Sequence, residues 1–154
     1  MNTTFDRDPA HLEGYLRKWQ EALRLRDWDI RLLPVEQPWR KTGDIKIDAD
    51  DRNAVLMVNI CDPRQTNAEE LIIHELLHLK LWGMDQMIDG LLAAVYGTED
   101  DPKRAFAYTC FMTTLESTVN DLAKSFLEQG GADRAISFGR LRQEVEAELG
   151  GTKN

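Results

Sequence analysis

Three residues carry the most chemistry in this sequence: His74, Glu75 and His78, inside the run Leu-Ile-Ile-His-Glu-Leu-Leu-His-Leu-Lys-Leu-Trp at 71–82. On a helix, residues i and i+4 share a face one turn apart. The two imidazoles can therefore aim at one ion, as a zinc site requires. The glutamate next to the first histidine stands to the side, within reach of a metal-bound water. There it can act as general base: zinc acidifies the water, the carboxylate takes its proton, and the resulting hydroxide attacks a polarised carbonyl. Two rings and a carboxylate on so apolar a helix would each need a partner once buried, and a metal provides one.

Two histidines do not complete a zinc site. The chain has three histidines in all, and His11 lies far from the motif, where capping or surface exposure is expected. No histidine follows His78, and Gly83 stands at the wrong offset for the metzincin arrangement. The third ligand is expected to be a carboxylate from Asp85, Asp89, Glu99, Asp100, Asp101, Glu116, Asp121 or Glu128. Of these, Glu116 stands out. At about 100° per residue it lies roughly 60° from Val119 on a helix face expected to be buried, flanked by Met112 and Ala123. A carboxylate stranded there would cost several kcal/mol without a cation. Asn120, one turn later, is placed to hold the second nitrogen of His74 or His78, as outer-shell residues do.

At this point the sequence resembles a family. His74-Glu75-x-x-His78 followed by a glutamate on a later helix is similar to the gluzincin zinc metallopeptidases, and the size is similar to that of single-domain minigluzincins. The layout also resembles small zincin-like proteins of phage and bacterial genomes. The resemblance is carried by Asp27-Trp28-Asp29-Ile30, by Ile-His-Glu-Leu-Leu-His at 73–78 and by Glu116-Ser-Thr-Val-Asn120-Asp-Leu-Ala123, which together touch most of residues 9–128. It implies His74, His78 and Glu116 as zinc ligands and Glu75 as general base, in an α+β zincin-like fold that acts on a peptide or protein substrate. Gluzincins often have an aspartate four residues after the ligand glutamate; this chain has Asn120, with Asp121 next. The extra histidine that stabilises the oxyanion in larger relatives has no counterpart, and Tyr108, Tyr96 or Arg104 are the substitutes. The third strand resembles the edge strand on which zincins lay extended substrates. Two other functions fit the motif: a non-catalytic, zinc-stabilised interaction module, and an amide hydrolase whose substrate is not a peptide.

The elements that must position these residues are legible as patterns. Asp8-Pro9 is a helix start, and Leu12, Tyr15, Leu16, Trp19, Ala22 and Leu23 carry a helical stripe to about Leu25 that should pack on a sheet. Trp28, Ile30 and Leu32 alternate with polar residues as a strand ending at Pro34. Asp44–Asp48 alternates as a second strand, and Ala54–Ile60, apolar on both faces, is a third. The acidic run 48–51 between the last two reads as a solvated turn, lacking the glycine and spacing of a calcium loop. Thr66-Asn-Ala-Glu69 reads as a capping box opening the motif helix, with Gly83 as its left-handed terminator. Residues 84–103 read as a functional loop holding a short helix. A long helix is expected from Arg104 to Leu127, then a last one over 132–149 and a flexible tail. This last helix or the 84–103 loop is expected to cover the cleft.

Composition describes one soluble domain over 1–154, with 42% hydrophobic and 30% charged residues. Nineteen basic against 27 acidic residues give a net charge of −8. That balance argues against nucleic acid, including a DNA-repair protease role, and against an anionic membrane. The small basic clusters at Arg24-Leu-Arg26, Arg40-Lys41 and Arg140-Leu-Arg142 read as solvated surface. The amino terminus lacks a secretory signal pattern, no run is long enough to span a membrane, and Cys61 and Cys110 fit no metal or redox spacing. A cytoplasmic protein with reduced thiols is expected.

Overall fold

The first helix forms as its opening residues dictate. In the computed structural model, which describes residues 4–150, α1 spans Pro9–Ala22. The Asp8 carboxylate accepts the Ala10 N–H at 2.9 Å, and proline fills the first turn, where its missing N–H costs nothing. The helix stops three residues short of Leu25. Arg24 adopts φ 59°, so Leu23 and Leu25 enter the core from a turn.

Three strands follow, β1 (Asp29–Val35), β2 (Gly43–Asp48) and β3 (Asn53–Asn59), in the spatial order β1-β3-β2. β1 runs parallel to β3, from Asp29 opposite Asn53 to Val35 opposite Asn59. β2 runs antiparallel to β3, with Ile45 opposite Leu56. The Asp48 carboxylate accepts the N–H groups of Asp50 and Asp51 and so shapes the turn between them. β3 is therefore the central strand, and the expectation that it serves as a free edge is corrected. Its sequence carries the reason: Ala54, Leu56 and Val58 are buried against the helices, while Val55 and Met57 face outward between two neighbours. A strand apolar on both faces belongs in the middle.

The motif helix α2 spans Ala68–Lys80, and ten of its 13 residues are buried. A helix apolar on nearly all sides has to lie inside the molecule, and α2 packs against α1, the sheet and α4 together. Its N-cap is Asn67, one residue later than the expected Thr66. The Asn67 side chain accepts the Glu70 N–H at 3.1 Å and donates to the carbonyls of Asp133 and Ala135. A distant segment of chain thus chose the cap.

Gly83 does not end the motif helix by a left-handed turn. Among the described glycines only Gly97 has positive φ. A single residue, Leu81, separates α2 from a new helix α3, Trp82–Tyr96. This corrects the loop expected over 84–103. Met84, Met87, Leu91 and Val95 recur at helical spacing, but they face solvent and no residue of α3 is buried. The true connection is short and ends at Asp101, whose carboxylate caps Lys103 and Arg104. From there α4 runs over Pro102–Gly130, longer at both ends than expected, and buries Val119, Ala123 and Leu127.

The final helix was expected from Ala132, yet α5 spans only Gly139–Gly150. The residues before it are tied to the start of α2. Glu69 accepts the Ala132 N–H at 2.8 Å and Glu70 the Ser137 N–H at 3.2 Å. Backbone groups claimed by side chains cannot join a helical ladder. Gly139 passes so close to Arg64 that a Cβ would fall 1.4 Å from its carbonyl oxygen, which only glycine tolerates. Beyond it, among the described residues, α5 makes no contact with another helix or strand. Of the tail expected at 150–154, Gly150 closes α5 and 151–154 lie outside the described residues. The architecture is α+β, five helices with a small three-stranded mixed sheet, and no described helix is long and apolar enough to cross a membrane.

Candidate metal centre

The one-turn spacing of the motif brings its rings together as intended. His74 Nε2 and His78 Nε2 are 3.2 Å apart, with ring centroids 4.9 Å apart. From α4, Glu116 completes a triangle: one carboxylate oxygen lies 2.7 Å from His78 Nε2 and the other 3.6 Å from His74 Nε2. A tetrahedral ion with bonds of about 2.0–2.1 Å has its ligand atoms about 3.3 Å apart; the two ring nitrogens stand near that spacing, and the carboxylate reaches each ring through a different oxygen. His74, His78 and Glu116 are the one group of three potential ligands that converges among the described residues.

The reasoning that singled out Glu116 needs correction even though its position fits. Its side chain is 46% exposed, so it is not stranded in the core. It sits on an open face of α4 that Met112, Asn120 and Lys124 share. α4 turns a boundary, rather than its buried Val119 stripe, toward the histidines.

Glu75 occupies a different environment. It is 7% exposed, and its nearest imidazole nitrogen, His74 Nε2, is 4.0 Å away. Burial pushes its carboxyl up to about 7, because desolvation disfavours the charged form. The nearby negative charges of Asp44 and Glu116 add to this, and His78 and Lys41 oppose it. Burial works against a charge on His78, but its hydrogen bond to Glu116 and the charges of Glu116 and Glu75 outweigh that and raise its pKa.

The other candidate residues lie further out. Asn120 is exposed on the same face of α4, not closed over an imidazole. Tyr108 is eight residues before Glu116 on α4, about 12 Å along the axis at 1.5 Å per residue. Burial and the charges of Asp85, Asp89 and Glu99 raise its pKa. Arg104 donates to the Gly97 carbonyl and pairs with Asp89. His11 is exposed and engages Asp6 and Asp8. Cys61 and Cys110 are unpaired thiols.

Sequence reasoning missed the neighbourhood of β2. Gly43 lies against Leu71, one turn before Glu75 on α2; a Cβ there would come within 2.8 Å of the leucine. Asp44 binds Lys41 and Lys46 at 2.9 and 3.1 Å and accepts the Ile45 N–H at 2.9 Å. Only strand order places these residues beside the motif; the alternating pattern of 44–48 gives no sign of it. In comparisons with known proteins, no family model, no curated protein and no solved structure matches this chain.

Proposed function

We propose that this chain is a zinc-dependent peptidase with a zincin-like fold, in which His74, His78 and Glu116 hold the ion and Glu75 is the general base. The observation that carries the reading is the donor triangle with a buried, protonatable glutamate at its side. Two imidazole nitrogens facing each other and a carboxylate make a donor set that suits zinc. When bound there, zinc supplies a Lewis acid that acidifies water and polarises a carbonyl.

The chain's own residues do the rest. Glu75 takes the proton of the attacking water and delivers it to the departing amine, a role that a carboxylate with proton affinity near neutrality performs at either stage. An extended peptide needs a free strand edge. β1 is a poor one: Gln20 and Arg17 side chains occupy the carbonyls of Trp28 and Ile30, and Pro34 lacks an N–H. β2 is the other edge and the one beside α2, so the substrate lies along β2.

The test combines metal analysis with hydrolysis of a peptide library. The purified protein is expected to hold one zinc, His74→Ala and Glu116→Ala to lose it, and Glu75→Gln to keep it without hydrolysing peptides. Full zinc retention in both alanine variants, or full activity in Glu75→Gln, would overturn the assignment.

A further inference from the structure

β2 is paired on one side and open on the other. The Asn59 N–H donates to the Thr42 carbonyl at 2.8 Å, so in the observed register it is Asp44, Lys46 and Asp48 that exchange hydrogen bonds with β3. Gly43, Ile45 and Ile47 therefore turn their backbone groups toward the open edge. At the middle of that edge the Ile45 N–H is already taken. It donates to one oxygen of Asp44 at 2.9 Å, while the other oxygen accepts from Lys41 and Lys46 at 2.9 and 3.1 Å. Asp44 is half-buried. Burial opposes its charge, but the two ammonium groups outweigh that and lower its pKa, so the place suits an ionised carboxylate. Lys41 is set there by the core: Asn59, wholly buried, donates to its carbonyl at 2.9 Å. Lys41 and Asp44 both lie close enough to act on the charge of Glu75.

We infer that Asp44 occupies the seat of an acidic substrate residue, and that Lys41 and Lys46 select extended peptides carrying a glutamate or aspartate beside them. The inference rests on the reading above in which the substrate lies along β2. A strand added to that edge brings a main-chain carbonyl to the Ile45 N–H and displaces the Asp44 oxygen that holds it. One outward side chain of the added strand then stands across from Lys46, as cross-strand neighbours do. There it meets two ammonium groups that share a single carboxylate. A glutamate is attracted, and a lysine is repelled. The trio of Lys41, Asp44 and Lys46 has one net positive charge in a chain of net charge −8, so the attraction belongs to this edge and not to the protein as a whole. Asp48, on the same face, is occupied with the N–H groups of Asp50 and Asp51.

Fluorescence anisotropy on the full chain carrying Glu75→Gln, with and without zinc, tests the inference while leaving peptides intact. The probes are labelled, end-capped peptides of about ten residues in which threonine and valine alternate, a composition that favours strands. One glutamate replaces each threonine in turn, and every probe has a glutamine twin and a lysine twin. At one placement the glutamate peptide should bind about fivefold more tightly than its glutamine twin, the scale of one favourable cross-strand charge pair, and the lysine twin should bind most weakly. Lys41→Ala with Lys46→Ala should bring the three level, and Lys41→Glu with Lys46→Glu should reverse their order. Asp44→Ala vacates the seat and should tighten the glutamate peptide further. The inference is overturned if no probe binds, if glutamate and glutamine bind alike at every placement, if the preference survives loss of both lysines, or if Asp44→Ala weakens the glutamate peptide. The peptidase reading fails separately: a chain that binds no zinc and hydrolyses nothing, yet keeps the glutamate preference, loses the peptidase and retains the acidic-peptide edge.

Discussion

Glu69 and Glu75 sit six residues apart on one helix, both carboxylates and both almost wholly buried, yet the fold treats them oppositely. Glu69 is saturated: one oxygen accepts from Lys18 and from the Trp19 indole at 2.7 Å each, and the other from the Ala132 N–H at 2.8 Å. Burial opposes its charge, but those donors outweigh burial and lower its pKa. Glu75 has no comparable set of donors, and burial raises it to about 7. The saturated carboxylate ties α1, α2 and the segment after α4 into one body. The unsaturated one keeps its lone pairs available for a proton. Burial alone does not distinguish structural from chemical glutamates; the completeness of the donor shell does.

The contrast can be broken at its chemical end first. Glu75→Gln should lower the rate of peptide hydrolysis by about 10²–10⁴-fold with zinc still bound, measured as kcat on the zinc-loaded protein. Next comes the structural end. Glu69→Leu leaves Lys18, Trp19 and Ala132 facing an apolar group and should cost about 3–5 kcal/mol in thermal or denaturant unfolding.

The pH dependence of the metal-free protein sharpens the same comparison. Glu75 is raised in the folded state above its unfolded value of 4.5. The stability this represents is complete below pH 4.5 and is lost as pH rises through about 7. It amounts to on the order of 3 kcal/mol. Glu75→Gln should flatten that decline, and added zinc should reverse it by binding only the folded state. Glu69, lowered in the folded state, contributes in the opposite sense: its stabilisation is present above its unfolded pKa and is lost as pH falls. A metal-free unfolding curve equally stable at pH 5 and pH 8 would contradict the Glu75 environment. The smallest effect is at the cap. Asn67→Ala removes one accepted and two donated hydrogen bonds and should cost about 1–2 kcal/mol, visible in the unfolding midpoint with the metal content unchanged.

Local chemistry explains which features could be read in advance. Asp8-Pro9 and the alternating strands act through nearest neighbours, and they formed close to where the pattern put them, though β1 runs through Pro34 to Val35. The last turn of α2, the start of α3 and the start of α5 did not. Gly83 is a terminator only where the chain must turn left-handed, and the apolar periodicity through Met84, Met87, Leu91 and Val95 carried the helix on. Ala132–Phe138 has helical composition, but Glu69, Glu70 and Asn67 took its backbone groups. Glu116 was chosen for a burial it does not have. It reaches the histidines because α4 crosses α2 at that height.

The sequence by itself determined the metal-binding potential of His74 and His78 and the place of Glu75 beside them, because a helix converts a spacing of four into a shared face. Only the tertiary structure decided that Glu116 closes the triangle, that β2 with Asp44 lies against the motif helix, and that Glu69 is satisfied while Glu75 is not. Those outcomes depend on how elements distant in sequence cross and pair, and no local spacing encodes the donors that a buried side chain will meet.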